Sequence, residues 1–231
     1  MTVTQPQHTN RQYEEDLRSL RAELLKMGGL VERQIAEAVE ALVDRDTNHA
    51  RQVMARDAEV NRMDLDIDSR CLNLLALHQP AASDLRLITT GLKITTDLER
   101  IGDNAVNICE RTIELNDKPQ IKPYIDIPRM AEIAQTMVKD GLDAFMRNDT
   151  VLAEQVIARD DEVDLLNFQI YRELLSYMVE DPETIAPATK VLFVSKYIER
   201  IADHATNIAE MVVFMVEGRN IKHMEKEHAR D

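Results

Sequence analysis

The chain is written twice, and that duplication limits what it can fold into more than any other feature. Asp46-Thr-Asn-His-Ala-Arg-Gln-Val53 aligns with Asp149-Thr-Val-Leu-Ala-Glu-Gln-Val156, 103 positions later. The same offset aligns Ala55-Arg-Asp-Ala-Glu-Val60 with Ala158-Arg-Asp-Asp-Glu-Val163. Glu99-Arg-Ile-Gly-Asp103 then aligns with Glu199-Arg-Ile-Ala-Asp203 at an offset of 100, so the second copy is three residues shorter between these segments. Identity in three separated segments, each in register, marks a repeated structural unit.

Punctuation divides each copy into three helices. The first is expected from about Asn10 to Arg45, with Asn10 or Thr9 as its cap and Gly28 and Gly29 inside it. In a helix interior each glycine costs up to ~1 kcal/mol against Ala, so a close approach or a kink is implied. Asp46 caps the second helix, which ends near Pro80, and Ser83 caps the third, which ends near Asn116. Pro119, Pro123 and Pro128 mark a linker. The fourth helix ends before Asp149, which caps the fifth, and the fifth ends near Asp181-Pro182. The sixth starts around Pro187 and stops at Gly218, ahead of a charged, fraying tail from Arg219. Long helices joined by short turns run antiparallel. The expectation is an all-α, elongated chain of two tandem pseudo-repeated three-helix bundles, 1-117 and 118-231.

A helix turns about 100° per residue, so Glu99, Asp103, Asn107 and Glu110 share an arc of about 80°. Ile94, Leu98, Ile101, Ala105 and Ile108 lie opposite, which places the acids away from the bundle core. The second copy repeats this with Glu199, Asp203, Asn207 and Glu210 against Val194, Ile198, Ile201, Ala205 and Ile208. The second helix carries Asp57, Asn61, Asp64 and Asp68 on one face, and the fifth carries Asp160, Asp164 and Asn167. Like charges at i, i+4 repel, so the stripes need a counter-charge from Arg100 and Arg200 or from bound cations. Oxygen ligands without Cys or His favour Mg, Ca, Mn or Fe, with structural zinc disfavoured. An acidic helix face is also what ordinary solvation gives.

The net charge of −14 argues against nucleic acid, because no basic block offsets it. Cys71 and Cys109 lack Cys-x-x-Cys spacing and read as reduced packing residues. No stretch reaches the ~20 apolar residues of a membrane span, and Met1 to Asn10 lacks the apolar core of a signal peptide. The expected location is cytoplasmic. There is no phosphate-binding glycine loop or nucleophile elbow. The one Glu-x-x-His, Glu225 to His228, falls in the tail, and His204 lies off the acidic arc. No catalytic constellation is expected.

Five segments resemble the PhoU family of bacterial phosphate-signalling regulators: Met27-Gly-Gly-Leu-Val-Glu32, Gln79-Pro-Ala-Ala-Ser-Asp-Leu-Arg-Leu87, Asp97-Leu-Glu-Arg-Ile-Gly-Asp103, Tyr177-Met-Val-Glu-Asp181 and Ile198-Glu-Arg-Ile-Ala-Asp-His204. The resemblance spans nearly the whole chain. It implies two three-helix bundles, usually as a homodimer, and a cytosolic negative regulator without catalytic activity. Such a regulator relays the state of the phosphate ABC transporter, through its ATPase subunit, to a membrane sensor histidine kinase, and it restrains uptake. It contacts the membrane only through these partners and makes no direct nucleic-acid contact.

Some family members bind metal clusters through Glu/Asp-x-x-x-Asp pairs on neighbouring helices. The matching pairs here are Glu99/Asp103 with Asp57/Asn61, and Glu199/Asp203 with Asp160/Asp164. The resemblance therefore implies Fe, Mn or Mg, and less readily Zn, on these faces. The first set departs at Asn61, an amide in place of a carboxylate, which should weaken it. The competing readings are a carboxylate-bundle metal-binding or metal-storage protein, which needs ligands facing the core, and a metal-free helical adaptor.

Overall fold

The computed structural model describes residues 11–219 and 221. Its elements are α1 (Arg11–Val43), α2 (Thr47–His78), α3 (Ala82–Asn116), α4 (Asp126–Arg147), α5 (Thr150–Glu180), a 3-10 turn (Pro182–Thr184) and α6 (Ile185–Glu217). No strand occurs among the described residues. The linker falls between α3 and α4 and holds Pro119 and Pro123, whereas Pro128, expected in the linker, lies in the first turn of α4, where its missing N–H costs nothing.

The two α-α corners are built alike. Asp46 accepts from the backbone N–H groups of Asn48 and His49, both at 2.9 Å, and Asp149 accepts from that of Leu152 at 3.0 Å. Each thereby satisfies donors that a helix start leaves open. The residue before each cap is left-handed, Arg45 at φ 56° and Asn148 at φ 54°. The backbone N–H of each cap then reaches back to Ala41 O or Ala144 O at 2.9 Å. Arg45 carries a second task, donating to the carbonyls of Leu115, Asn116 and Lys118 and so closing the C-terminus of α3. Gly218 ends α6 at φ 69°, as expected.

The start of α3 differs from the sequence reading, while that of α6 agrees with it and adds a 3-10 turn. The residue flanking α3 is Ala81, with no side-chain cap, and Ser83 already lies in the first turn. The chain leaves Pro80 extended and enters the helix at once, and Asp84 supplies negative charge near the helix start. Before α6, Asp181 accepts from Glu183 N at 3.0 Å and winds the 3-10 turn, so Pro187 sits inside the first turn of α6. The expected cap of α1 and most of the C-terminal tail lie outside the described residues.

α1–α3 and α4–α6 each form a three-helix unit, and the units meet through α3 on α6 and α1 on α4. Both pairings are antiparallel. Gln135 donates to the carbonyl of Glu32, its own counterpart in the first copy, at 3.1 Å. On the other layer Asp97 faces His204 and Arg86 reaches Met215 O at 3.0 Å. A local two-fold axis therefore relates the halves, as in an isologous dimer. One apolar core runs through all six helices. α2 and α5 pack on opposite flanks of this central four-helix body.

Gly28 is explained by the α1–α4 crossing, because a Cβ there would sit 2.1 Å from Leu142 Cδ1. Gly29 has nothing within 4 Å of such an atom. Close approach, and no kink, accounts for the first glycine; nothing in the structure explains the second. Cys71 and Cys109 are buried free thiols, each pushed up to about 12 chiefly by burial, which makes them packing groups.

Candidate functional site

Each acidic motif lies in a groove between the last helix of its unit and the middle one: α3 with α2, and α6 with α5. The sequence reading places the acids away from the core, and they are outside it, yet they are not freely solvated. Glu99 and Glu199 expose only 24% and 16% of their side chains, because α2 and α5 lie along that flank.

In the first groove the Asp57 carboxylate is satisfied on both oxygens, although Gln34 Oε1 is itself buried without a hydrogen-bond partner. Gln34, buried on α1, donates through Nε2 to Asp57 Oδ1 at 3.3 Å, and Asn61 donates through Nδ2 to Asp57 Oδ2 at 2.9 Å. Gly102 makes room, since a Cβ there would stand 3.2 Å from Asp57 Oδ1 and 3.3 Å from Gln34 Oε1. Arg100 bridges Glu99 and Asp103, each at 3.3 Å, and thus supplies the expected counter-charge. Burial raises the Asp57 carboxyl, and the two amide hydrogen bonds oppose that rise. Glu99 is raised by burial and then by Asp103; Asp64 is raised by burial and then by Asp68.

The second groove lacks these partners. Met137 stands where the first copy has Gln34, and Ala202 where it has Gly102; both are fully buried. Asp160, the counterpart of Asp57, keeps a buried Oδ1 with no hydrogen-bond partner. Its carboxyl is pushed up to about 6, first by burial and then by the charges of Asp203, Asp164, Asp161 and Glu199. Asp164 and Asp203 are also raised by burial, then by Glu199.

The counter-charge comes from an unexpected residue. Lys196 Nζ approaches Glu199 to 2.5 Å, and Asn167 Nδ2 donates to the same carboxylate at 2.8 Å. Arg200 acts only at longer range, easing the rise of Asp203. The signal was in the sequence, since Lys196 replaces Thr96 one turn before the motif.

As a cation site the second groove has the right chemistry: oxygen donors, excess negative charge and an orphaned buried carboxylate oxygen. Its side chains do not yet converge, and among the described residues no three His, Cys, Asp or Glu groups gather closely enough to hold one ion. Asp160, Asp164, Glu199 and Asp203 are the residues that would hold it. In the first groove Asp57, Asn61, Glu99 and Asp103 are brought together but are mostly engaged with one another and with Arg100. His204, which the sequence places off the acidic arc, donates through Nδ1 to Asp97 Oδ1 at 2.8 Å, and Asn207 donates to the same oxygen at 3.3 Å. These contacts clasp α6 to α3 and leave both residues outside the acidic set.

Asp160 titrates near 6 when folded and near 3.8 in an unfolded chain. Its native charge is a burden present above about 6 and relieved as the pH falls toward 4, so it favours the fold at low pH. After allowance for partial solvent screening, this one group should make the metal-free protein about 1 kcal/mol more stable at pH 5 than at pH 7.5. Asp160→Asn should stabilise the protein at pH 7.5 and keep only about half of that advantage at pH 5. Urea unfolding at both pH values checks this, and an unchanged pH profile in the variant would contradict it.

The PhoU domain family matches the chain twice, over residues 24–112 and 127–212. A phosphate-specific transport system accessory protein PhoU homolog from Pseudomonas putida is 42% identical over 218 residues, covering 94% of this chain and 85% of that protein. A homolog of the same description from Aquifex aeolicus is 43% identical over 208 residues, covering 90% and 94%. The crystal structure of PhoU from Pseudomonas aeruginosa superposes with a TM-score of 0.86 at 42% identity, over 90% of this chain and all of that one. The phosphate transport system regulatory protein PhoU from Streptococcus pneumoniae gives 0.83 at 26% identity, over 90% and 98%. With two matched domains, relatives aligned along nearly their full length and the same six-helix architecture, the chain belongs to the PhoU family.

Proposed function

We propose that this chain is an accessory regulator of phosphate-specific transport that negatively controls phosphate uptake and the phosphate-starvation (Pho) regulon. In this reading it binds the ATPase subunit of the phosphate ABC transporter and relays its state to a membrane sensor histidine kinase. It works in the cytoplasm as a homodimer, catalyses no reaction and reaches the membrane only through those partners. Family membership along the whole chain carries the reading, with relatives named as accessory proteins of the phosphate-specific transport system. Two features are in keeping with it. No helix among the described residues is long and apolar enough to cross a membrane. The charge of −14 favours control through protein partners over contact with DNA.

Cations belong to the same proposal. A divalent or ferric ion in the second groove would neutralise the repulsion among Asp160, Asp164, Glu199 and Asp203. The chain's own part is to keep α5 and α6 close enough for four carboxylates to face one space, with Lys196 holding one of them in the ion's absence.

Deleting the gene should raise expression of phosphate-starvation genes in phosphate-rich medium, read by a reporter fused to such a promoter. Unchanged repression would overturn the regulatory reading. In calorimetric titration with Mn²⁺, the second groove should bind more tightly than the first, because it offers four carboxylates against three. Asp203→Ala should weaken that binding by about tenfold or more. Asn61→Asp should strengthen the first groove while costing the metal-free protein the Asn61–Asp57 hydrogen bond. Equal affinities, or no heat at either site, would leave the grooves as protein-docking surfaces.

A further inference from the structure

The flanking helices touch the central body on one side only, and the outer side of α2 is apolar along its C-terminal half. Leu65, Leu72 and Leu77 are exposed at 68%, 60% and 76%. Leu65, Ser69, Leu72 and Ala76, all exposed, follow one another at spacings of four, three and four. That rhythm keeps a ridge in line along a helix, with small residues leaving holes beside the leucines, and a second helix is what fits it. Both copies carry the ridge. At the 103-residue offset, Leu65, Leu72 and Ala76 correspond to Phe168, Leu175 and Val179 of α5, all exposed. What differs is the charge beside it.

On α2, acids stand on both flanks of the ridge. Asp64 and Asp66 lie about 100° to either side of Leu65, and Asp68 about 60° from it on the Asp64 side. Among the described residues none of the three makes an ion pair. On the α3 side, burial and then the charge of Asp68 raise the Asp64 carboxyl, and Arg100, committed to Glu99 and Asp103, eases it only from a distance. On the α1 side a cleft of about 480 Å³, lined by Leu74 and Leu77, carries Asp16, Glu23 and Asp66. Arg70 in the same cleft is already held by Glu23 at 2.9 Å and by Ser19 at 2.7 Å. Arg62, one turn before Leu65, is the nearest exposed base on that face.

We infer that the Leu65–Ala76 ridge of α2 is a docking surface for a basic amphipathic helix of a partner protein, whose apolar stripe seats on the leucines while its lysines or arginines meet Asp64, Asp66 and Asp68. This rests on the reading that the chain acts through protein partners. Charge selects the occupant. A second copy of this chain, at −14, would bring its own acids against these, and an anionic membrane surface is repelled in the same way. The α5 ridge supplies the contrast within one molecule. The three acids correspond there to Asn167, Gln169 and Tyr171, and Asn167 turns into the acidic groove to donate to Glu199. In place of Ser69 stands Arg172, its guanidinium over the Phe168 ring, 5.9 Å from the centroid. A basic helix therefore meets an arginine at the centre of the α5 ridge and no acid at these three positions.

The test uses the full-length chain and, as probe, a labelled synthetic peptide of about two heptads, with leucine at positions a and d and lysine and alanine elsewhere, read by fluorescence anisotropy. The wild type should bind it, with an affinity that falls as salt rises, because added ions screen the attraction to the acids. Leu65→Ser and Leu72→Ser should each weaken binding by about tenfold or more without loss of helical content, since both side chains are exposed. Phe168→Ser on α5 should leave it unchanged. The same peptide with glutamate for lysine should not bind. No binding by the wild type, equal binding of the glutamate peptide, or equal binding by both leucine variants would overturn the inference. A change of oligomeric state in Leu72→Ser, read by analytical ultracentrifugation, would make the ridge a contact between copies and overturn it as well. The anisotropy reads peptide binding alone, so its failure leaves the regulatory reading, tested by gene deletion, standing.

Discussion

Everything else in this protein is placed by the packing of each unit against its own duplicate. Ile101 and Ile201, with Leu98 and Ile198, are fully buried along α3 and α6. Without the second unit, the face of α3 around Asp97 and the α1 strip around Gly28 would face water. The close approach at Gly28 admits Leu142, while Asp97 accepts from Asn207 and pairs with His204, so the crossing is fixed by shape on one layer and by hydrogen bonding on the other. Because four helices are committed to this central body, α2 and α5 are left on its flanks. Each flank then offers one acidic groove facing inward along the helix and one face turned to solvent.

Duplication supplied two of each, and the two copies have diverged. In the first unit Gln34, Asn61 and Gly102 accommodate Asp57, and Arg100 neutralises the motif. In the second unit Met137 offers Asp160 no donor, and a lysine holds Glu199 instead. One groove is stabilised by its own side chains; in the other a single lysine serves four carboxylates, and Asp160 Oδ1 stays buried without a partner. Buried polar groups without partners cost free energy, and sites of function are where proteins carry such costs.

Much of this was legible in the sequence. The Asp46 and Asp149 caps, Gly218 and the prolines of the linker act through local backbone chemistry, so they can be read without the fold. The motif acids were legible because helical periodicity fixes their arc. What the sequence hid is tertiary. Ser83 has the right chemistry for a cap, but the path of the chain out of Pro80 starts the helix before it. Gly28 and Gly29 look alike until Leu142 is placed against one of them. The loss of Gln34 at Met137 is visible in the alignment of the two copies, yet it means nothing until α1 is seen to reach Asp57. His204 gains its role only from Asp97, 107 positions away.

The second groove is electrostatically unfinished because its buried aspartate lacks the amide donor that serves the first. Carboxyl ¹³C chemical shifts, followed by pH titration of the metal-free protein, report the two aspartates separately. Asp160 should titrate near 6, above Asp57, and Met137→Gln should lower it by restoring an amide donor. Asp160 titrating in the ordinary aspartate range, or at the same pH as Asp57, would contradict it.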